Sequence, residues 1–173
     1  MAVLPLIIAP DPRLKTVSQP VTGVDDGVRK LMDNMLETMR WAPGVGLAAI
    51  QIGVPKRVIV IDLAEEKKPA KPRYFVNPEI IWRSGEVAVF SEGCLSVPEF
   101  FEEIERPASV KVRFIDYRGK PQEELVEGML ATCLQHEFDH LQGRLFLDRL
   151  SWIRRVWVSL KRTFTRAAAS QPA

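Results

Sequence analysis

The chain lacks the features that define several classes of protein. Only two of its 173 residues are cysteine, Cys94 and Cys133, so the disulfide framework of a small secreted domain is excluded. Ten glycines and 13 prolines are too few for a collagen-like or low-complexity chain. The longest uncharged stretch, residues 41–55, is shorter than the roughly 18 residues that a membrane-spanning helix requires. With 46% hydrophobic residues, the composition instead predicts one globular domain with a buried core.

Signals for export are also missing. No basic residue precedes the first apolar run, which Pro5 and Pro10 interrupt, whereas a secretory signal has a basic start and an unbroken apolar segment. The low cysteine content is typical of a reducing compartment. We therefore expect a cytoplasmic protein without a transmembrane segment.

Acidic residues are absent from the C-terminal end. All 22 of them lie within residues 1–148, whereas six of the 24 basic residues lie within residues 149–173. The body is therefore net acidic, which excludes a strongly basic nucleic-acid-binding domain, and we expect no DNA partner. Apolar residues of the tail recur at helical spacing: Ile153, Val156, Trp157, Leu160 and Phe164. This pattern predicts a single domain over residues 1–150 and a basic amphipathic helical extension over residues 151–173.

Periodicity predicts two helices and several strands in the body. Apolar residues at helical spacing, after two aspartates that can cap the first turn, predict a helix around residues 28–39. A second helix is expected over residues 125–142, with Gly143 as its C-terminal cap. The expected strands are residues 57–63, 73–82 and 109–115. Because helices and strands do not alternate regularly, we expect an α+β fold with largely antiparallel sheets packed around the second helix, followed by the C-terminal helix.

The only two histidines of the chain lie one helical turn apart in the sequence HEFDH, residues 136–140. At 100° per residue, His136 and His140 leave the same face of the helix, with Glu137 beside them and apolar residues around them. A lone histidine in this position is usually a core residue that bonds to backbone. Burying two imidazoles and a carboxylate is costly, however, and a metal ion satisfies both imidazoles at once. The HExxH pattern therefore predicts a metal site.

A catalytic metal site needs a third protein ligand and an open position. Downstream of the histidines, Phe146 occupies the position of the third ligand in metzincins, and Asp148 is the only later acidic residue. The third ligand is therefore expected upstream. Cys133 lies on the same helix but about 7.5 Å along the axis from the metal, which is too far for a metal–sulfur bond. Cys94, in a glycine-containing turn, is the candidate that remains.

Three segments of the chain resemble the three motifs of the peptide deformylase family, in the order of that family. They are GVGLAAIQ at residues 44–51, EGCLS at 92–96 and QHEFDH at 135–140. The resemblance implies removal of the formyl group from N-formylmethionyl nascent peptides. It also implies one metal ion per chain, usually Fe²⁺, with Zn²⁺ or Ni²⁺ able to replace it. The ligands implied are Cys94, His136 and His140.

The resemblance also assigns roles to the residues around the metal. Glu137 matches the general base and acid of the family, a role that suits a carboxylate beside the ligands. The side-chain amide of Gln51 and the backbone N–H of Leu95 match the donors to the oxyanion, which are neutral groups aimed at a charge that develops in the transition state. Val45 and Gly46 match positions that contact the substrate.

Two further features come from the same resemblance. Glu92 and Arg106 match a pair that braces the cysteine loop, and the basic tail matches an extension that contacts the ribosome, whose RNA is rich in phosphate. Phe101 departs from the pattern, because many bacterial relatives carry arginine there. Three acidic residues lie close to it in sequence: Glu99, Glu102 and Glu103. We therefore expect that preferences beyond the formylmethionine differ in this chain.

Three other interpretations are weighed against this one. A metallopeptidase of another family shares the HExxH pattern and would act on unformylated peptides. A binding module that kept the fold would recognise nascent chains or ribosomal RNA without turnover, and would not need the base Glu137. The sequence GVGLAA also mimics a dinucleotide-binding fingerprint, but it follows a predicted helix and precedes a strand, which is the reverse of the required order.

Overall fold

The computed structural model describes residues 2–63, 71–152 and Arg154 of the chain. The helices are α1 (Asp26–Trp41) and α2 (Gly128–Leu141), and short 3₁₀ turns occupy Pro12–Lys15, Ala49–Ile52 and Phe146–Arg149. The strands are β1 (Gly46–Ala48), β2 (Val58–Ile61), β3 (Arg73–Arg83), β4 (Val87–Cys94), β5 (Val97–Pro107), β6 (Ser109–Ile115) and β7 (Pro121–Glu127). Within the described ranges, no helix is long and apolar enough to cross a membrane.

The strands form two antiparallel sheets. Five of them pair in the order β1-β2-β3-β6-β7, and the other two, β4 and β5, form a separate hairpin. Helix α2 contacts β1, β2, β6 and β7 of the larger sheet and β5 of the hairpin. This arrangement confirms the predicted α+β fold with a central helix.

Helix α1 forms where the apolar periodicity places it. The carboxylate of Asp25 accepts a hydrogen bond of 2.8 Å from the backbone N–H of Val28, which caps the first turn. Its buried side chains are nearly all apolar and pack against β1 and β2. They are Val28, Met32, Met35, Leu36, Thr38 and Met39.

The start of α2 differs from the prediction. Residues 125–127 belong to β7, where they pair with β6, and the helix begins at Gly128. The alternation of β7 buries Val126 and exposes its neighbours, so the segment fits a strand as well as a helix, and pairing with β6 decides between them. The helix ends as predicted. Gly143 adopts a positive φ of 68°, and a Cβ there would lie 2.4 Å from the carbonyl oxygen of Lys15.

The polar residues of α2 are buried as well as its apolar ones. Thr132, Gln135 and Asp139 are buried, because the hairpin covers the side of the helix that the large sheet leaves open. The side-chain amide of Gln135 donates a 3.0 Å hydrogen bond to the carbonyl of Pro107 at the end of β5. A helix that is covered on both sides needs polar partners for each polar residue.

The N-terminal segment, residues 2–19, forms backbone hydrogen bonds with several separate parts of the fold. The N–H of Ile7 donates to the carbonyl of Gln51 (2.7 Å), and the N–H of Ala9 donates to the carbonyl of Ser96 (2.8 Å). Further along, the N–H of Ser18 donates to the carbonyl at the end of α2 (3.0 Å). The segment therefore ties together three regions that are distant in sequence.

Most of the predicted C-terminal helix lies outside the described residues. Trp152 and Arg154 are described and are helical. Two arginines counted with the basic tail pair with acidic residues of the body. Arg149 binds Asp139 on α2, and Arg154 lies 3.0 Å from Glu102 on β5.

Candidate metal centre and active site

The structure brings Cys94, His136 and His140 together in one cluster, called the metal cluster below. Helix α2 presents both imidazoles, whose ring centroids are 5.1 Å apart, and Cys94 is the last residue of β4. The sulfur of Cys94 lies 3.2 Å from Nε2 of His140, and the ligand atoms of the three residues all lie within 4.8 Å of one another. Tetrahedral coordination with bonds of 2.0–2.3 Å places ligand atoms about 3.5 Å apart, so the cluster has suitable dimensions for a divalent ion.

The protonation of the two histidines also suits a metal ion. Nδ1 of His136 lies 2.8 Å from a carboxylate oxygen of Glu92, which can only accept, so Nδ1 carries a proton and Nε2 is the nitrogen left to bind a metal ion. Burial lowers the pKa of His140 well below its usual value, which keeps this imidazole neutral, the form that binds metal. Burial also acts to lower the pKa of His136, but hydrogen bonds to Cys94 and Glu92 raise it well above its usual value. These two neighbours favour positive charge at this point, which a divalent ion supplies.

Glu137 is buried beside the metal cluster. Its Oε2 has no hydrogen-bond partner among the described residues, and burial raises the pKa of the carboxyl to about 7. A Cβ built on Gly46 would lie 2.5 Å from Oε1 of Glu137 and 2.7 Å from the sulfur of Cys133. Glycine is therefore required at position 46 for β1 to pass this carboxylate. The resulting group can take up and release a proton near neutral pH.

The side chain of Gln51 has a fixed orientation at the same place. Its Oε1 accepts a 2.8 Å hydrogen bond from the backbone N–H of Ala48, so its amide nitrogen faces the other way. That nitrogen donates to the hydroxyl of Ser96 (3.2 Å) and lies 3.7 Å from the sulfur of Cys94. The sequence analysis quoted Ser96 within a motif but gave it no role. Its hydroxyl aligns the amide of Gln51 beside the metal cluster.

Leu95 and Val45 belong to two segments that approach each other near the cluster. Leu95 follows Cys94 in the two-residue turn between β4 and β5, so its backbone is next to a ligand. A Cβ on Gly44 would lie 2.6 Å from a methyl carbon of Leu95, so the segment before β1 packs closely against the side chain of this turn. Val45 is half exposed, and its carbonyl accepts a hydrogen bond of 2.9 Å from the N–H of Asp62.

Cys133 is separate from the metal cluster. Its sulfur lies on the side of α2 that faces Gly46 and Glu137, and burial raises the pKa of this thiol well above its usual value. A neutral buried thiol is a poor metal ligand. The structure therefore places the two cysteines in different surroundings, as the helical geometry indicated.

Glu92 and Arg106, which the family resemblance assigns to bracing the cysteine loop, also contact residues of α2. The Arg106 guanidinium donates to both carboxylate oxygens of Glu92 (2.5 and 2.8 Å) and to Asp139 (2.8 Å). Since Glu92 also binds His136, the pair orients a residue of the metal cluster. Burial acts to raise the pKa of Glu92, but the bonds to Arg106 and His136 lower it below its usual value, so Glu92 is a carboxylate. The sequence analysis missed the part of Asp139, although a buried arginine in a strand has to find acidic partners.

Comparisons with known proteins agree with this geometry. The family model for polypeptide deformylase matches residues 3–156. A peptide deformylase of Phenylobacterium zucineum is 61% identical over 155 residues, which cover 90% of this chain and 92% of that protein. A peptide deformylase of Rhizobium meliloti is 51% identical over 173 residues, covering 100% of this chain and 98% of that protein. These matches extend over nearly the whole chain and are not confined to the motifs.

Solved structures lead to the same family. A crystal structure of peptide deformylase from Ehrlichia chaffeensis superposes with a TM-score of 0.90 at 40% identity, and covers 97% of this chain and 99% of that one. A structure of that protein with actinonin gives 0.88 at 42% identity, covering 95% and 98% of the two chains. The matches decide against another metallopeptidase family and against a module that only binds. The chain belongs to the polypeptide deformylase family, whose members are metal-dependent hydrolases that remove the N-formyl group from newly made polypeptides.

Proposed function

We propose that Glu137, Gln51 and Leu95 carry out this deformylation, with the metal held by Cys94, His136 and His140. One observation carries the proposal: a ligand cluster, a buried carboxylate and an oriented amide surround the same small space. A divalent ion held there supplies Lewis acidity, which lowers the pKa of a water molecule toward neutrality. Each remaining requirement of amide hydrolysis is met by a residue of the chain.

Glu137 is the proposed general base and acid. It adjoins His136 in sequence but leaves the helix about 100° away from it, so it stands beside the cluster and not within it. With a pKa of about 7, set mainly by burial, the carboxylate takes a proton from water and returns it to the leaving amine. Because Oε2 has no partner among the described residues, this oxygen is available for the transfer.

Gln51 and Leu95 are the proposed donors to the oxyanion. The Gln51 amide is held from both ends, by the N–H of Ala48 and the hydroxyl of Ser96, so it does not have to reorient when negative charge develops. The backbone of Leu95 lies in the turn that directly follows Cys94. Two neutral donors in fixed positions stabilise the transition state more than the uncharged substrate.

The free edge of β1 is the proposed site for the substrate backbone. β1 is the terminal strand of the larger sheet, with β2 on one side only. Since Val45 bonds toward β2 through its carbonyl, the alternation of an antiparallel ladder turns the N–H and C=O of Gly46 toward the open side. An extended peptide can add to such an edge, with Val45 and Gly46 as its contacts and its N-terminus near the metal cluster.

Phe101 is proposed to affect the choice of substrate beyond the formylmethionine. It pairs with Gly93 across the hairpin, and a Cβ on Gly93 would lie 2.4 Å from its ring, so the ring covers that glycine. The side chain is 69% exposed and lies one residue pair away from Cys94. An exposed aromatic ring at the edge of the site favours apolar residues in the peptide.

Fe²⁺ is the proposed resident ion, and Zn²⁺ or Ni²⁺ can occupy the site in a purified sample. A thiolate with two imidazoles binds Fe²⁺ and Zn²⁺ alike, and support for iron comes from the family resemblance. Metal analysis with activity measured after anaerobic purification tests this assignment. Iron at about one equivalent with full activity supports it, and full activity with zinc alone contradicts it.

The division of the chain and its cellular partners complete the proposal. Residues 1–150 form the catalytic domain, and the extension 151–173 contacts ribosomal RNA through its basic residues in the cytoplasm. The concentration of basic residues at 149–173 supports this assignment. The overall function is tested with a formylated tripeptide, which we expect to be hydrolysed while the unformylated and N-acetylated peptides are not. Equal turnover of the acetylated peptide would contradict a deformylase.

A further inference from the structure

A chain of buried ionic contacts connects the metal cluster to the start of the C-terminal tail. It runs from His136 to Glu92, then to Arg106, Asp139 and Arg149. The side chains of the first four are at most 7% exposed, whereas that of Arg149 is 39% exposed. The two carboxylates and two guanidiniums of this series of contacts balance in charge. Each buried charge is therefore compensated by its neighbour in the series.

Arg106 is shared between two carboxylates. Its Nε and Nη2 bind the two oxygens of Glu92, which leaves only Nη1 for Asp139. Asp139 obtains its remaining hydrogen bonds from Arg149, whose Nε lies 2.6 Å from Oδ2 and whose Nη2 lies 2.8 Å from Oδ1. Arg149 therefore supplies the two-bond contact that Arg106 gives to Glu92 and cannot give to Asp139.

We propose that Arg149 is a positioning residue for the metal cluster. Without it, the buried carboxylate of Asp139 would have only one bond to Arg106, and an uncompensated buried charge is costly. Arg106 would then turn toward Asp139. Glu92 would lose a hydrogen bond and its fixed orientation, and the ring of His136 would lose its alignment. This inference rests on the proposed metal site and assigns to it an arginine that the sequence analysis counted only among the basic residues at the C-terminal end.

The chain contains a matched control for this contact. Arg13 binds Asp11 with the same two-bond geometry, at 3.0 Å from Nε and 2.6 Å from Nη2, but the side chains of this pair are 64% and 26% exposed and form no ion pair with Glu92, Arg106 or Asp139. Arg13→Gln and Arg149→Gln thus remove the same type of contact. They differ in whether the carboxylate left behind is exposed or buried.

The test measures metal affinity in the full-length chain. Metal is removed by chelation, and Zn²⁺ is titrated back in competition with a chromophoric chelator, while Co²⁺ reports ligand geometry through its absorption bands. We expect Arg149→Gln to weaken Zn²⁺ binding by about tenfold and to change the Co²⁺ spectrum, since outer partners of metal-binding histidines typically contribute 10–100-fold. Arg13→Gln should leave both unchanged. Equal affinities in the two variants would overturn the proposal.

Two further variants separate positioning from general stability. In an Asp139→Asn background, Arg149→Gln should add no further loss of affinity, because both changes interrupt the same path. Arg149→Lys keeps the charge without the two-bond contact, so its Zn²⁺ affinity should lie between that of the unaltered chain and that of Arg149→Gln. This variant tests the proposal even if Asp139→Asn does not fold. A lower melting temperature with an unchanged Zn²⁺ affinity would show a structural role only. If the unaltered chain took up no metal, the proposed metal site itself would fail.

Discussion

The two helices of this protein bury different kinds of side chain. Helix α1 buries one face, and all but one of its six buried residues are apolar. Helix α2 buries ten residues, among them Gln135, His136, Glu137, Asp139 and His140. An apolar face can be covered by any surface of suitable shape, whereas each buried polar group needs a specific partner. Helix α1 therefore contributes mainly to stability, whereas helix α2 presents residues of the metal cluster.

The largest effect on metal binding and turnover is expected from a change at Cys94, the proposed ligand on β4. Cys94→Ala removes one of three protein ligands, so we expect loss of bound metal and of turnover, whereas Cys133→Ala should bind one equivalent normally. Metal content and formyl-peptide hydrolysis measure both effects. Equal loss in the two variants would contradict the assignment of Cys94.

Glu137 is a polar residue of α2 that is not a proposed ligand, so changing it should lower turnover but leave the metal bound. Glu137→Gln preserves size and removes the base, so kcat should fall by at least about 10²-fold while metal occupancy persists. Turnover of a formylated tripeptide and metal analysis of the same sample provide the measurement. Near-normal turnover with metal in place would remove Glu137 from the mechanism.

The corresponding change in α1 should affect stability alone. Met35 is fully buried, and Met35→Ala should lower the free energy of unfolding by about 2–5 kcal/mol through the cavity that it leaves. Met129→Ala, at a half-exposed position on α2, should change it by less than about 0.5 kcal/mol. Urea unfolding gives both values. A large fall in kcat for the folded Met35 variant would contradict the expectation that α1 contributes to stability alone.

Phe101 lies outside both helices, and its effect should be confined to substrate choice. Phe101→Arg should lower kcat/KM about 10-fold for a formylated peptide with apolar residues after the methionine, because an apolar contact is worth roughly 1–3 kcal/mol. A peptide with acidic residues at those positions should gain. Identical ratios in the two proteins would show that Phe101 does not select the peptide.

The smallest effect on catalysis is expected from the tail. Deletion of residues 161–173 should leave turnover of a short formylated peptide nearly unchanged, while co-sedimentation with ribosomes weakens. Added salt should weaken binding of the intact chain as well, since contacts with phosphate release counterions. Equal co-sedimentation of both proteins at low salt, or unfolding of the truncated one, would contradict this role.

The sequence predicted what depends on local pattern. The α1 periodicity, the Gly143 cap and the spacing of His136 and His140 are properties of single segments, and the structure places them as expected. The roles of Glu137, Gln51 and Leu95 remain predictions, although the structure gathers these residues around one space. What the sequence could not predict depends on pairing between distant segments. It assigned no strands to β4, β5 and β7, and it missed the contacts of Asp139 with two arginines.

The N-terminal segment has a consequence for how the enzyme becomes active. Its backbone bonds reach Gln51, Ser96 and the end of α2, so residues near the start of the chain wait for partners that are synthesised much later. Contacts between such distant positions are slow to form, because a long loop must close before they stabilise anything. The proposed ligands come from β4 and α2. Metal capture and completion of the tertiary fold are therefore expected to occur together, late in folding, and a partly made chain should have no affinity for the ion.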